Sequence, residues 1–224
     1  MTEKVITKEN YRKIRILDPA CGSGQFLISA FQRLLPFYLE DGISPEEAGK
    51  NIIRNSLFGI DYDETAVEIA RYNLAMISGV SFSFPVNIIH GSFLSEKSIF
   101  EEKNNDNLYD CILGNPPWGS SISSSDKIYY RKTFSCAKSG INTFTLFLEK
   151  ALGLLKDSGR LSFLLPEAYL NIKAHQQSRE DILSSCIIEE INIWGEQFQN
   201  VFAPSISLFL QKDSSDKRKT NIVK

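Results

Sequence analysis

Residues Ile14 to Asp18 form a short apolar run that ends on an acid and passes directly into Pro19-Ala20-Cys21-Gly22-Ser23-Gly24. From Gln25 to Leu35 apolar residues recur at helical spacing: Phe26, Leu27, Ala30, Leu34 and Leu35. A buried strand, a glycine-rich turn and a helix in succession is the unit from which open parallel sheets are built. Ligands of such sheets bind where that turn lies, outside the carboxyl end of the strand. The two glycines let the backbone approach a ligand closely, and the helix N-terminus favours a carboxylate or phosphate. The turn is neither a P-loop nor G-x-G-x-x-G, because no Lys follows Gly24 and a third glycine is missing.

The alternation continues along the chain. Pro36 reads as a kink or stop of the first helix. Ser44-Pro45-Glu46-Glu47 starts a second, with a Ser cap, Pro in the first turn and acids behind it. Leu57 to Asp61 reads as a strand, and Asp63 or Thr65 opens a helix to about Met76. Val86 to His90 and Tyr109 to Gly114 read as strands, Asn142 to Lys156 as a helix closed by Asp157-Ser158-Gly159, and Arg160 to Leu165 as a fifth strand. A helix over 172–185 and strands over 187–194 and 205–210 complete the pattern. It predicts an α/β domain over 1–211 with a mostly parallel sheet and helices on both faces. Ser120 to Gly140 is Ser-rich, holds few apolar anchors and is expected to be a long mobile loop. Lys212 to Lys224 reads as a polar tail or linker.

Composition narrows the function. With 25 Lys+Arg against 27 Asp+Glu, bulk basicity cannot drive nucleic-acid binding, although a local patch can. A chain of 224 residues buries roughly 70–75% of its unfolded surface and needs no staple. No apolar run approaches the ~20 residues of a membrane helix, and the polar N-terminus is not a secretory signal. Cys21, Cys111, Cys136 and Cys186 are far apart, without C-x-x-C spacing, which speaks against a zinc site and for reduced thiols in a cytoplasmic protein. His90 and His175 are isolated, with no local support for a His-based triad.

Two further motifs carry chemistry. Gly59-Ile60-Asp61 puts an acid at the end of the second strand, where it can accept both hydroxyls of a ribose. Asn115-Pro116-Pro117-Trp118 follows the Tyr109–Gly114 strand. Two prolines stiffen the chain and remove two donors. That leaves the Asn115 amide oxygen and the Pro116 carbonyl as fixed acceptors beside an aromatic face, which suits a planar ring with an exocyclic amine.

Taken together, Asp-Pro-Ala-Cys-Gly-Ser-Gly, Gly-Ile-Asp and Asn-Pro-Pro-Trp, in this order, resemble the S-adenosylmethionine-dependent DNA adenine-N6 methyltransferases, most closely those of type I and fused type II restriction-modification enzymes. The resemblance spans about residues 12 to 211 and includes Asn142 to Glu149, Gly159 to Pro166 and Val201-Phe202-Ala203-Pro204. It implies a three-layer Rossmann-like methyltransferase fold with a seven-stranded sheet. It implies that Asp18, Ala20, Cys21, Gly22 and Gly24 lie against the cofactor's methionine moiety and that Asp61 holds its ribose. Gly91-Ser92-Phe93 stands where the family has an acid and an aromatic near the cofactor adenine, so Ser92 replaces a charged acceptor by a neutral one and Phe93 offers a stacking face. Asn115 and Pro116 are implied to accept the N6 hydrogens of an adenine turned out of duplex DNA, with Pro117 stiffening the turn, Trp118 stacking on the base and Phe202 covering its other side. No metal enters this chemistry.

Lys127, Arg131, Lys132 and Lys138 face a single acid, Asp126, between Gly119 and Gly140, which suits contact with DNA phosphates. The family has a cofactor-binding segment upstream of the first motif and a target-recognition domain or specificity subunit. Neither is evident here, so a bacterial or archaeal catalytic-core fragment is expected, its activity alone left open. RNA guanine-N2 and protein glutamine-N5 methyltransferases carry related motifs, and an inactive cofactor-binding remnant is a further alternative.

Overall fold

The computed structural model describes residues 5–95, 108–119, 121–138, 140–195 and 204–213. The chain divides into two compact units, Met1–Gly114 and Asn115–Lys224.

In the first unit, β1 (Ile16–Asp18), β2 (Leu57–Asp61), β3 (Asn87–His90) and β4 (Tyr109–Gly114) run in the spatial order β3-β2-β1-β4. All three pairings are parallel, with Asp18 opposite Gly59 and Asp61 opposite His90. The carboxyl ends of β1 and β2 therefore open on the same side of the sheet. β1 is buried along its whole length, as its unbroken apolar run requires of a strand covered on both faces. Helices α1 (Gln25–Glu40), α2 (Pro45–Asn55) and α3 (Glu64–Ser78) supply Leu27, Phe31, Leu34, Ile52, Ile53, Val67 and Leu74 to a core shared with Ile16, Leu57, Ile88 and Cys111.

The caps are where the sequence puts them. The Ser44 hydroxyl accepts from the Glu47 amide, and Asp63 accepts from the amides of Thr65 and Ala66. Pro36 is different: α1 runs through it to Glu40. Proline removes one helical hydrogen bond, but the turns beyond it are held by tertiary contacts. Tyr38 is buried, and its ring meets Tyr11 edge-on at 4.7 Å while Phe37 stacks on Tyr11 at 5.7 Å. Lys8 and Arg12 both pair with Asp41 just past the helix end. The polar N-terminal stretch thus has an apolar side, with Val5, Ile6, Tyr11 and Ile14 buried.

The second unit contains α4 (Ser124–Thr133), α5 (Thr143–Leu154), β5 (Leu155–Pro166), α6 (Gln176–Ser185), β6 (Cys186–Gly195) and β7 (Ser205–Lys212). Its strands lie in the order β5-β7-β6, antiparallel throughout. The expected helix to Lys156 ends at Leu154, and β5 begins at Leu155 and takes in Asp157-Ser158-Gly159; its pairing with β7 begins at Arg160, the expected strand start. The segment from Ser120 to Gly140 departs from the expected loop. The Ser123 hydroxyl caps α4 by accepting from the Asp126 amide, and Tyr130, Phe134, Cys136 and Ala137 are buried. Within α4 the buried residue is Tyr130; Phe134 follows the helix in extended backbone and Cys136 and Ala137 lie on a short 3-10 turn, so the segment is anchored mainly at and just past the helix end. Lys212 belongs to β7 rather than to a tail, its ammonium donating to the carbonyls of Leu152 and Leu155. The tail beyond residue 213 lies outside the described residues. No helix among the described residues is long and apolar enough to cross a membrane.

Candidate active site

The turn after β1 is held at every step. Cys21 N–H donates to the Ile60 carbonyl at 3.0 Å, and Gly24 N–H to the Cys21 carbonyl at 2.8 Å. Gly22 N–H donates to Asp61 Oδ2 at 2.8 Å, and Ser23 O accepts from Asn73 Nδ2 at 3.0 Å. Gly22 and Gly24 sit at φ 51° and 86°, a left-handed backbone that glycine adopts without penalty. Gly59 clears the floor of the turn: a β-carbon there would lie 2.8 Å from the Ile88 side chain and 3.1 Å from Cys21 Sγ.

Asp18 is completely buried. Its Oδ1 accepts from the Ala20 amide at 3.1 Å, while Oδ2 has no partner. Loss of hydration drives its pKa up to about 7; the Ala20 hydrogen bond opposes that rise and the nearby Asp61 charge adds to it. Asp18 therefore braces the turn from beneath. Asp61 lies half-exposed at the end of β2. One of its oxygens accepts from Gly22 and the other from the Asp63 amide at 3.0 Å. A carboxylate has about four acceptor positions, so two remain for a vicinal diol. The unpartnered Asp18 oxygen, the two left-handed glycines and the spare acceptors of Asp61 together fit a nucleoside-bearing cofactor such as S-adenosylmethionine.

Other expected positions divide. Ser92 is half-buried in the turn after β3. Phe93 is only 2% exposed, so its ring belongs to the core and presents no open stacking face. Cys21 is buried beneath the turn, its thiol pushed far up by desolvation, which makes it packing rather than a reactive group. All four cysteines are buried thiols outside any disulfide. His90 is exposed, with Nε2 3.1 Å from the Tyr62 carbonyl. His175 is buried against Phe144 and Tyr169, its pKa lowered by burial and then by Arg179, and is structural. Among the described residues no cluster of His, Cys, Asp and Glu has the makings of a metal site.

In the second unit Asn115 is exposed, Pro116 buried, and Pro117 and Trp118 half-buried. Trp118 Nε1 donates to the Leu164 carbonyl on β5 at 3.2 Å, which ties the polar edge of the indole to a strand and limits rotation of the ring. Lys127, Arg131 and Lys132 are exposed on α4, and the acid beside them, Asp126, accepts from the Ser123 hydroxyl. Phe202 lies outside the described residues.

The sequence reading did not single out Asn73 or Gly114. Asn73 sits on α3, and nothing in the sequence tells which carbonyl it reaches. Gly114 abuts Asp18, with a β-carbon on it lying 2.7 Å from Oδ1.

The Eco57I restriction-modification methylase family model matches residues 55–202, well over half of the chain. The chain belongs to this methylase family. A second model, the DNA-methyltransferase domain of MmeI, matches residues 4–82. The type II methyltransferase M.VspI of Vibrio sp. (strain 343) is 30% identical over 210 residues, covering 94% of this chain and 45% of that protein. The type II restriction enzyme and methyltransferase RM.Eco57I of Escherichia coli is 23% identical, covering 90% of this chain and 25% of that protein. The chain thus spans less than half the length of these curated relatives. Among solved structures, a class I S-adenosylmethionine-dependent methyltransferase from Listeria monocytogenes superimposes with a TM-score of 0.69 at 22% identity, covering 99% of this chain and 60% of that one. The M protein of the type I restriction enzyme EcoKI superimposes with a TM-score of 0.68 at 17% identity, covering 92% of this chain and 44% of that one. These likenesses establish the α/β methyltransferase fold for the methylase, the class that its strand–helix alternation predicts.

Proposed function

We propose that this methylase transfers a methyl group from S-adenosylmethionine to the N6 amine of an adenine turned out of duplex DNA, as the catalytic domain of a restriction-modification enzyme. The observation that carries the reading is Asn115-Pro116-Pro117-Trp118 directly after β4, in a chain whose β1 turn and β2 acid fit the cofactor. When bound, the cofactor supplies an electrophilic methyl group on a positively charged sulfur.

The chain's own residues do the rest. Asp61 holds the ribose hydroxyls, Gly22 and Gly24 let the backbone close on the methionine end, Ala20 and Cys21 shape the turn, and Ser92 gives one neutral hydrogen bond near the cofactor base. The Asn115 side-chain oxygen and the Pro116 carbonyl accept the two N6 hydrogens. That draws the nitrogen lone pair out of the ring and makes it nucleophilic, so fixed dipoles lower the barrier without a strong base. Trp118, already pinned through Leu164, offsets part of the unstacking cost at about 1–3 kcal/mol per stacked base. Lys127, Arg131 and Lys132 contact phosphates, which position the duplex but carry no sequence choice.

Solved structures of this fold include type ISP restriction-modification enzymes bound to DNA or a DNA substrate mimic and an assembly of a type I system. On that basis we assign sequence recognition to a target-recognition domain or a specificity subunit, and we place the methylase in the cytoplasm of a bacterium or archaeon. The test is to incubate the chain with labelled S-adenosylmethionine and, separately, unmethylated duplex DNA, structured RNA and a release-factor-like protein. Label recovered as N6-methyladenine supports the proposal, and label only in RNA or protein overturns it.

A further inference from the structure

We propose that Asn73 is a positioning residue for the cofactor turn: it holds the Ser23 peptide in its binding shape and thereby sets cofactor affinity. This rests on the reading of the turn as the S-adenosylmethionine site.

The Ser23–Gly24 peptide lies between the two left-handed glycines, Gly22 and Gly24. Its carbonyl accepts from Asn73 Nδ2 at 3.0 Å, and its N–H donates to the Cys21 carbonyl at 2.8 Å. Both polar ends of one peptide plane are thus fixed, one by the turn itself and one from α3. Asn73 reaches Ser23 because α3 passes unusually close. A β-carbon on Gly24 would lie 3.3 Å from Ala70 Cβ and 3.5 Å from Ala70 Cα. Ala70 and Asn73 are three apart and share a helix face: the small residue admits the turn and the amide grips it.

The platform is itself anchored. Arg71, between them in sequence, donates through Nη2 and Nε to the Ile88 carbonyl of β3 at 2.8 and 3.2 Å, and Asp63 caps the first turn of α3. The Asn73 amide therefore works from a fixed point. Glycine is the residue with the most backbone freedom to lose, so without this bond the turn samples other shapes. Cofactor binding then bears the cost of re-ordering it, and apparent affinity falls by the fraction of competent turn.

The test titrates S-adenosylmethionine into the full chain by calorimetry at 25 °C, with thermal unfolding measured separately. Asn73→Asp replaces the donor by an acceptor facing the Ser23 oxygen. It is expected to raise the Kd more than tenfold while far-UV structure at 25 °C is retained. Asn73→Leu, with the same branching but no donor, is expected to raise it five- to tenfold, and Asn73→Gln, which keeps an amide donor, to recover most of the affinity. Should Asn73→Asp be unfolded at 25 °C, the Leu and Gln pair decides. A residue that is only structural lowers the melting temperature and leaves the Kd of the folded protein unchanged. That result overturns the proposal while the cofactor reading stands. Failure of the wild-type chain to bind S-adenosylmethionine overturns both.

Discussion

The Asp18 carboxylate lies against the backbone of Gly114, so close that a β-carbon on Gly114 would come within 2.7 Å of Oδ1. Asp18 ends β1 just before the glycine turn, and Gly114 is the last residue of β4 before Asn115. Gly114→Ala must therefore displace either the buried acid or the strand end that leads into Asn115. Overpacking of this kind costs about 1–3 kcal/mol. The expected outcome is a lowered melting temperature and a fall in methyl transfer at saturating cofactor. Trimming the acid in Gly114→Ala/Asp18→Ser is expected to recover part of the lost stability, which a thermal-unfolding cycle of the four proteins measures.

Two acids give opposite pH dependences. Burial raises the Asp18 carboxyl from the ordinary aspartate value of 3.8 up to about 7 when folded, so between those values the folded state holds a proton that the unfolded state has released. Its contribution to stability is full below about pH 4, declines as pH rises toward 7, and is flat beyond, at up to about 1.4 kcal/mol per pH unit. Asp18→Asn is expected to flatten the melting temperature across that window. Asp41 is held below 3.8 by hydrogen bonds from Lys8, Tyr11 and Arg12. Its contribution is present above pH 4 and lost as pH falls further, and Asp41→Asn is expected to remove that acid-side loss alone. Unchanged melting curves in the two variants would contradict these assignments.

Asn115→Ala is expected to abolish methyl transfer to adenine and leave the calorimetric Kd for S-adenosylmethionine unchanged. Loss of cofactor binding in this variant counts against its role at the target amine.

Trp118 combines a ring face with a bond to Leu164 O. Trp118→Phe keeps the stack and drops the bond, and is expected to lower kcat/KM for DNA a fewfold. Trp118→Ala loses about 1–3 kcal/mol of stacking, roughly five- to 150-fold in kcat/KM. Equal losses in the two variants would assign the residue to packing instead.

On α4, Arg131→Ala and Lys132→Ala are each expected to reduce the slope of log affinity against log salt by about one for a duplex of random sequence. Melting temperature and cofactor affinity are expected to stay constant, since both side chains are exposed. An unaltered slope removes these residues from the DNA contact.

Local chemistry is legible wherever a residue's role depends on its immediate neighbours. Ser44 and Asp63 cap helices because a short polar side chain before a helical run meets orphan amides wherever that run folds. The Asp18-to-Gly24 turn and the Asn115-to-Trp118 motif are read from consecutive residues. The segment from Ser120 to Gly140 marks the limit of this: its apolar residues are sparse along the chain, but Tyr130 near the end of α4 and Phe134, Cys136 and Ala137 just beyond it are buried, and the amides of Ser135 and Cys136 are held by Glu149, which no local pattern connects to them.

By itself the sequence determined the strand–helix alternation, the caps, the position of the glycine turn and the residue types offered to a nucleoside and to an amine, because each depends on spacings within a few residues. Only the tertiary structure decided that α1 continues through Pro36, that Phe93 is core and that Asn73 holds Ser23. It alone set Gly114 against Asp18 and left one Asp18 oxygen buried without a partner. These outcomes join residues far apart in sequence, and their energies come from burial and close approach, which exist only when the elements have packed.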